Sequence, residues 1–103
     1  MNEGELAQLH KALSVPVRLK ILKLIAERPL CVNAITCLLT ISQPAVSQHL
    51  AVLRRVGLVK GDKQGYMVHY TLIGARLREL RQAMDLFPKE EISVPAGESR
   101  ECT

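Results

Sequence analysis

The chain has no tryptophan, one phenylalanine and two tyrosines among its 103 residues. A core built from it must be aliphatic, with leucine, isoleucine and valine supplying the buried area. Cysteine is scarce as well. Cys31, Cys37 and Cys102 are odd in number and far apart, and no Cys-x-x-Cys pair exists. That excludes a disulfide scaffold and points to a reducing compartment with free thiols. No apolar run is long enough to span a bilayer, and no leader segment is recognised at the start. A cytoplasmic protein without a membrane partner is the expectation. Internal repeats and low-complexity segments are lacking too. The three histidines, His10, His49 and His69, have no ligand spacing between any two of them. No cysteine, histidine and orienting group fall into the arrangement that nucleophilic catalysis needs. The sequence therefore predicts no enzyme and implies no organic cofactor.

What is present is charge of an uneven kind. The formal net charge is +4. Residues 1–88 carry 12 Lys/Arg against 6 Asp/Glu, and residues 89–103 carry 2 against 4. A basic body with an acidic tail suits a polyanionic partner, most simply nucleic acid. We expect a winged body over 1–88 and a polar, disordered tail over 89–103 that carries Cys102.

The most informative stretch is Ser42 to Gly57. Ser42 is a good N-cap, because its hydroxyl can accept from a free N–H of the first turn. Pro44 falls where a missing N–H does no harm. Gly57 suits the left-handed residue that ends a helix. Val46, Leu50, Leu53 and Val56 form the buried stripe of this helix. Gln43, Ser47, Gln48, Ala51, Arg54 and Arg55 lie mostly on the other side. Short amides and hydroxyls followed by cations suit a DNA groove.

The remaining elements look arranged around this helix. A first helix over 3–14 places Leu6, Leu9 and Leu13 on one face. Pro16 opens a second helix to about Arg28, with Val17, Ile21, Leu24 and Ile25 in one stripe and Leu19, Leu22 and Ala26 widening it. It is expected to be mostly buried. Pro29 breaks the pattern. A short third helix, Val32 to Leu39, points Ile35, Leu38 and Leu39 inward, and Cys31 sits near its N-cap. Thr40-Ile41 makes a tight turn into Ser42, completing a helix-turn-helix. After Gly57 the period falls to two. Residues 58–60 and 67–72 read as strands, with 61–65 as turn. Lys60, Lys63, Gln64 and Tyr66 lie toward the tip of this hairpin wing. A last helix over 73–87 repeats Ile73, Leu77, Leu80, Met84 and Phe87 in a narrow seam that suits packing on a second copy. Arg76, Arg78, Glu79, Arg81 and Asp85 cover the rest of that helix. The fold class is thus mainly α with a small β-hairpin: a winged helix-turn-helix, α-α-α-α-β-β-α, dimerised through its terminal helices.

Three runs carry a resemblance to a known family: residues 12–22, Ala-Leu-Ser-Val-Pro-Val-Arg-Leu-Lys-Ile-Leu; residues 42–50, Ser-Gln-Pro-Ala-Val-Ser-Gln-His-Leu, continuing to Leu58-Val59; and residues 65–72, Gly-Tyr-Met-Val-His-Tyr-Thr-Leu. Over about residues 5–87 the chain resembles the ArsR/SmtB family of bacterial winged-helix repressors. The resemblance implies a homodimer on a double-stranded inverted-repeat operator, released by a thiophilic or borderline metal ion. The arsenic-sensing branch has Glu-Leu-Cys-Val-Cys-Asp-Leu-Cys where this chain has Pro29-Leu30-Cys31-Val32-Asn33-Ala34-Ile35-Thr36. Only Cys31 carries over directly. The second family cysteine falls on Asn33, the third on Thr36, and Cys37 lies one residue beyond. The zinc site of the family's last helix is missing, because residues 73–87 contain no histidine.

DNA contacts are therefore expected from Ser42, Gln43, Ser47, Gln48, His49, Arg54, Arg55, Lys60, Lys63, Gln64 and Tyr66. For His49 an internal hydrogen bond is the plainer role. Cys31, Cys37 and Cys102 are the candidate ligands of a trivalent arsenic or antimony inducer. Cys37 would stand about 120° around the axis from Cys31, so the two share no face unless Cys31 lies outside the helix. Plainer roles remain beside these: Cys37 as a small apolar residue, Cys102 as an idle thiol. Two other functions stay open on the sequence. One is a redox or reactive-sulfur switch joining Cys31 or Cys37 to Cys102. The other is a winged helix that binds protein rather than DNA, against which the basic body argues.

Overall fold

The structure is a computed structural model that describes residues 1–87 and Ser93. Helices α1 (Glu3–Leu13) and α2 (Pro16–Glu27) are followed by a two-residue strand β1 (Leu30–Cys31). Helices α3 (Val32–Leu39) and α4 (Gln43–Arg55) come next, then strands β2 (Val59–Gln64) and β3 (Met67–Leu72), then α5 (Gly74–Met84). The acidic tail expected over 89–103, with Cys102, lies outside the described residues apart from Ser93.

Local chemistry sets the helix ends. The Asn2 side chain accepts from the Glu5 N–H at 2.8 Å and starts α1. Glu3 and Glu5 sit in its first turn and His10 and Lys11 in its last, each matching the helix dipole. Pro16 occupies the first turn of α2. Thr40 ends α3 in a left-handed conformation, φ 56°, which a β-branched residue rarely adopts. The N–H of Thr40 donates to the Thr36 carbonyl at 2.9 Å, and the chain turns at once into α4. There the Ser42 hydroxyl accepts from the Ala45 N–H at 3.3 Å. Gly57 follows α4 with φ +80°, as the sequence predicts.

The core is aliphatic. Leu9, Ile21, Ile25, Leu30, Ile35, Val46, Leu50, Leu53, Leu58, Val59 and Leu80 are buried together. Each contributes on the order of 1.5–3 kcal/mol through burial. Val46, Leu50 and Leu53 bring the inner face of α4 into this cluster, so the helix is held from behind and its other face stays free.

The structure departs from the sequence expectations in four places. β1 is the first. It pairs antiparallel with β3, Leu30 opposite Tyr70 and Cys31 opposite His69, and gives a three-stranded sheet in the order β1-β3-β2. The hairpin is the second. β2 runs on to Gln64, and the turn is confined to Gly65-Tyr66. Gly61 therefore serves strand packing. A Cβ there would lie 2.8 Å from Val68 Cγ1 and 3.2 Å from Tyr70 Cε1. Third, Leu19 and Leu38 face solvent, because α2 and α3 bury only one stripe each. Fourth, α5 ends at Met84. Leu77, Leu80 and Ala83 pack within the chain, whereas Met84, Leu86 and Phe87 are exposed.

Candidate nucleic-acid interface and thiol site

The outer face of α4 is built from exposed side chains. Gln43, Ser47, Gln48, Arg54 and Arg55 are all solvent-facing, with Ser42 at the cap. Arg54 and Arg55 occupy the last turn, where cations are favoured by the helix dipole. No acidic residue stands in the first turn of the helix, leaving its N-terminus open to a phosphate.

His49 belongs to a different arrangement. It is half-buried, and Arg18 Nε donates to its Nδ1 at 3.2 Å. The same guanidinium donates from Nη1 to the carbonyls of Ala12 at 3.3 Å and Lys11 at 3.4 Å. One arginine of α2 thus joins the end of α1 to the middle of α4. Burial pushes the His49 imidazole below its ordinary value of 6.5, and the neighbouring Arg18 charge adds to the effect. The internal role for His49 is the one its geometry favours.

Arg76 makes a second tie. Its Nε donates to the carbonyl of Val56, the C-cap of α4, at 3.0 Å. Nη1 donates to Glu79 at 2.9 Å, and Nη2 faces Glu5 of α1 at 3.7 Å. Sequence reasoning missed the roles of Arg18 and Arg76. Each carries a charge that reads as surface in the sequence, and only tertiary structure gives it backbone carbonyls to hold.

The wing lies beside the start of α4. Lys60, Lys63, Gln64 and Tyr66 are exposed, Tyr66 fully so. Lys60 and Gln64 share one face of β2 with Asp62, and Lys63 occupies the other. The two lysines therefore straddle the ribbon. Gln43, Tyr66, Met67, Val68 and Tyr70 line an open cavity of about 220 Å³ together with Cys31, Val32 and Asn33. First turn of α4, wing tip and Cys31 thus meet at one hollow.

Cys31 has two structural duties. It is the second residue of β1 and the N-cap of α3, half-buried, with no side-chain capping bond. Cys37 is exposed, six positions along. Six residues of helix advance about 9 Å. That is too far for both sulfurs to reach one ion while α3 keeps its shape. Cys102 lies outside the described residues. Among the described residues no three His, Cys, Asp or Glu side chains are gathered to hold a metal.

A helix-turn-helix with an exposed amide-and-cation face, flanked by a basic hairpin, defines the class: a winged-helix DNA-binding protein. Comparison with known proteins narrows it. Residues 15–60 match the family described as "Bacterial regulatory protein, arsR family". An uncharacterised HTH-type transcriptional regulator of Methanocaldococcus jannaschii, MJ1325, is 39% identical over 80 residues, 77% of this chain and 90% of that protein. The arsenical resistance operon repressor of Escherichia coli is 47% identical over 66 residues, 63% of this chain and 56% of that one. The homodimeric winged helix-turn-helix DNA-binding domain of Mycobacterium bovis Mb0332 superposes with a TM-score of 0.69 at 26% identity, covering 81% of this chain and 78% of that one. The chain belongs to the ArsR family of transcriptional regulators. It is a DNA-binding regulator and not an enzyme. Among the described residues no helix is long and apolar enough to cross a membrane.

Proposed function

We propose that the protein is a homodimeric repressor that leaves its operator when a thiophilic metalloid, arsenite or antimonite, binds through cysteine thiolates, Cys31 first among them. The observation that carries this reading is the double placement of Cys31, which ends a strand paired to the wing and caps the first helix of the helix-turn-helix. A ligand at that sulfur acts on the joint between the two DNA-facing elements. Trivalent arsenic supplies a centre that accepts several sulfur donors. Within one chain Cys37 is too far along α3 to join Cys31 on it. A second sulfur must come from Cys102, of the same chain or of a second copy, or from Cys37 with α3 unwound. The arsenical repressor among the relatives supports arsenite as the first ion to try.

Dimerisation is proposed through α1 and α5. Leu6, Ala83, Leu86 and Phe87 line a hollow between these helices, together with Met1, and Met84 lies exposed on the same helix. A two-fold dimer would set paired α4 helices about 34 Å apart, one turn of an inverted-repeat duplex. The basic body over 1–88 supplies the long-range attraction.

The test is a binding titration on a duplex selected by the protein from a random pool, with and without arsenite. Wild type should release the duplex and Cys31→Ser should not. Unchanged release by the variant removes Cys31 from the site. Release by peroxide or persulfide but not by arsenite assigns the switch to thiol oxidation instead, an outcome the exposure of Cys37 favours.

A further inference from the structure

Arg18 lies on α2 and reaches two other helices. Its Nη1 donates to the carbonyls of Lys11 and Ala12 at the end of α1, and its Nε donates to Nδ1 of His49 on α4. No ion pair ties Arg18 to a carboxylate among the described residues. A half-buried cation is thus held by neutral acceptors alone, against one edge of the imidazole.

A guanidinium can only donate, so Nδ1 of His49 must accept and the ring proton must sit on Nε2. Burial and the Arg18 charge both favour that neutral ring. Nε2 has no hydrogen bond among the described residues. Nor is it one of their sealed, unpartnered polar atoms, which are Thr36 Oγ1, His69 Nδ1 and Thr71 Oγ1. The Nε2–H therefore meets solvent. Helical period sets its place on α4. His49 lies about 100° around the axis from Gln48, which is exposed, and about 100° from Leu50, which is buried. It borders the free face of the helix. When a helix lies in a groove, residues at the centre of its outward face meet base edges, and those at its rim meet the flanking sugar–phosphate strands.

We propose that Arg18 is a positioning residue for DNA binding: through its bond to Nδ1 it presents His49 Nε2–H as a fixed donor to a phosphate oxygen beside the groove. The three groups form a relay, guanidinium to imidazole to phosphate, each donating to the next. The cation polarises the ring and strengthens Nε2–H as a donor. Neither residue changes its protonation state. A free imidazole would divide between two tautomers and turn about its side-chain torsions, and Arg18 removes both freedoms before the duplex arrives. Because the same guanidinium holds the end of α1, the donor is fixed relative to α1 and α2 as well as α4. This inference rests on α4 lying against the duplex and is independent of the inducer.

The test uses the full chain, isotope-labelled at histidine, with and without a duplex selected from a random pool. His49 is assigned by the signals missing from His49→Gln. In the free protein Nδ1 should resonate as an unprotonated nitrogen and Nε2 as a protonated one. On the duplex the tautomer should stay, while the Nε2 proton shifts and becomes slow to exchange. Affinity for the same duplex gives the second readout. His49→Leu should weaken binding by about tenfold or more. The slope against salt should hold, because no charge is removed. His49→Gln, whose amide can donate from near the Nε2 position, should recover part of the loss. Arg18→Gln should weaken the wild type by a similar factor and His49→Leu far less. An Nε2 proton that exchanges as fast in the complex as in the free protein overturns the proposal, and that measurement uses unaltered protein. Equal losses from Arg18→Gln in the wild type and in His49→Leu also overturn it, leaving Arg18 a tie between helices only. Failure to bind any duplex overturns the DNA-binding reading and this inference together. Tight binding with an unmoved His49 ring overturns this inference alone.

Discussion

Arg18 of α2 donates to Nδ1 of His49, in the middle of α4, at 3.2 Å. The bond requires a neutral imidazole with its proton on Nε2. Burial and the Arg18 charge both favour that neutral form, so the folded-state value lies below 6.5. Between the depressed value and 6.5 the unfolded chain binds more protons than the folded one. Stability therefore rises with pH across that window, and this contribution is lost as pH falls through it. Denaturant unfolding at pH 8 and at pH 5 checks this. The wild type should lose more stability on acidification than His49→Gln, and equal losses would show that His49 is not coupled to folding.

Gly61 occupies a strand position whose neighbours leave no room for a side chain. Gly61→Ala would push a methyl to 2.8 Å from Val68 Cγ1. The expected cost is about 1–3 kcal/mol from overpacking. Thermal unfolding measures it. Val68→Ala in the same chain should recover most of the loss, and no recovery would place the strain in the backbone instead.

Arg76 holds the last carbonyl of α4 from the first turn of α5. Arg76→Ala should cost about 1–2 kcal/mol, since a charged donor to a partly buried carbonyl is lost. Arg76→Lys should rescue little of it, because one ammonium cannot reach Val56, Glu79 and Glu5 together. Unfolding free energies of the two variants decide this. Full rescue by lysine would reduce the tie to a simple charge.

Most of this architecture is legible in the chain because its signals are local. Ser42, Pro44 and Gly57 mark the ends of α4 by cap and turn chemistry, and Val46, Leu50 and Leu53 mark its buried side by period. β1 was not legible. Two residues between a proline and a helix carry no period, and the strand exists only through pairing with residues nearly forty positions on. Gly61 misled for a related reason. A glycine among Asp, Lys and Gln reads as turn, whereas the need for it arises from Val68 and Tyr70 across the ribbon. The exposed face of α4 was readable. The pairing of Cys31 with His69 was not, since it depends on register rather than spacing.

Phe87 and Leu86 extend past α5 with more than half of their surface in water, 59% and 83% exposed. If this face covers a second copy, Phe87→Glu removes two buried rings and places two charges in the interface. At about 1.5–3 kcal/mol per ring, the dimer dissociation constant should rise on the order of a hundredfold or more. Sedimentation across a concentration series measures it. An unchanged dimer would move the interface elsewhere.

The candidate DNA contacts divide by what they should do to salt dependence. Lys63 and Lys60 straddle the wing ribbon, so a ribbon laid flat on the duplex turns one of them to the backbone. Each phosphate contact contributes about 0.9 to the slope of log affinity against log salt. Lys63→Gln or Lys60→Gln, but not both, should lower the slope by about one, with affinity falling alike on all sequences. Gln48 lies on the outer face of α4, where an amide can pair with an adenine edge. Gln48→Ala should leave the slope unchanged and relax the sequence preference at one position. Fluorescence anisotropy over a salt series, on selected and scrambled duplexes, separates the two behaviours. A slope that ignores both lysines would remove the wing from the interface and leave α4 to bind alone.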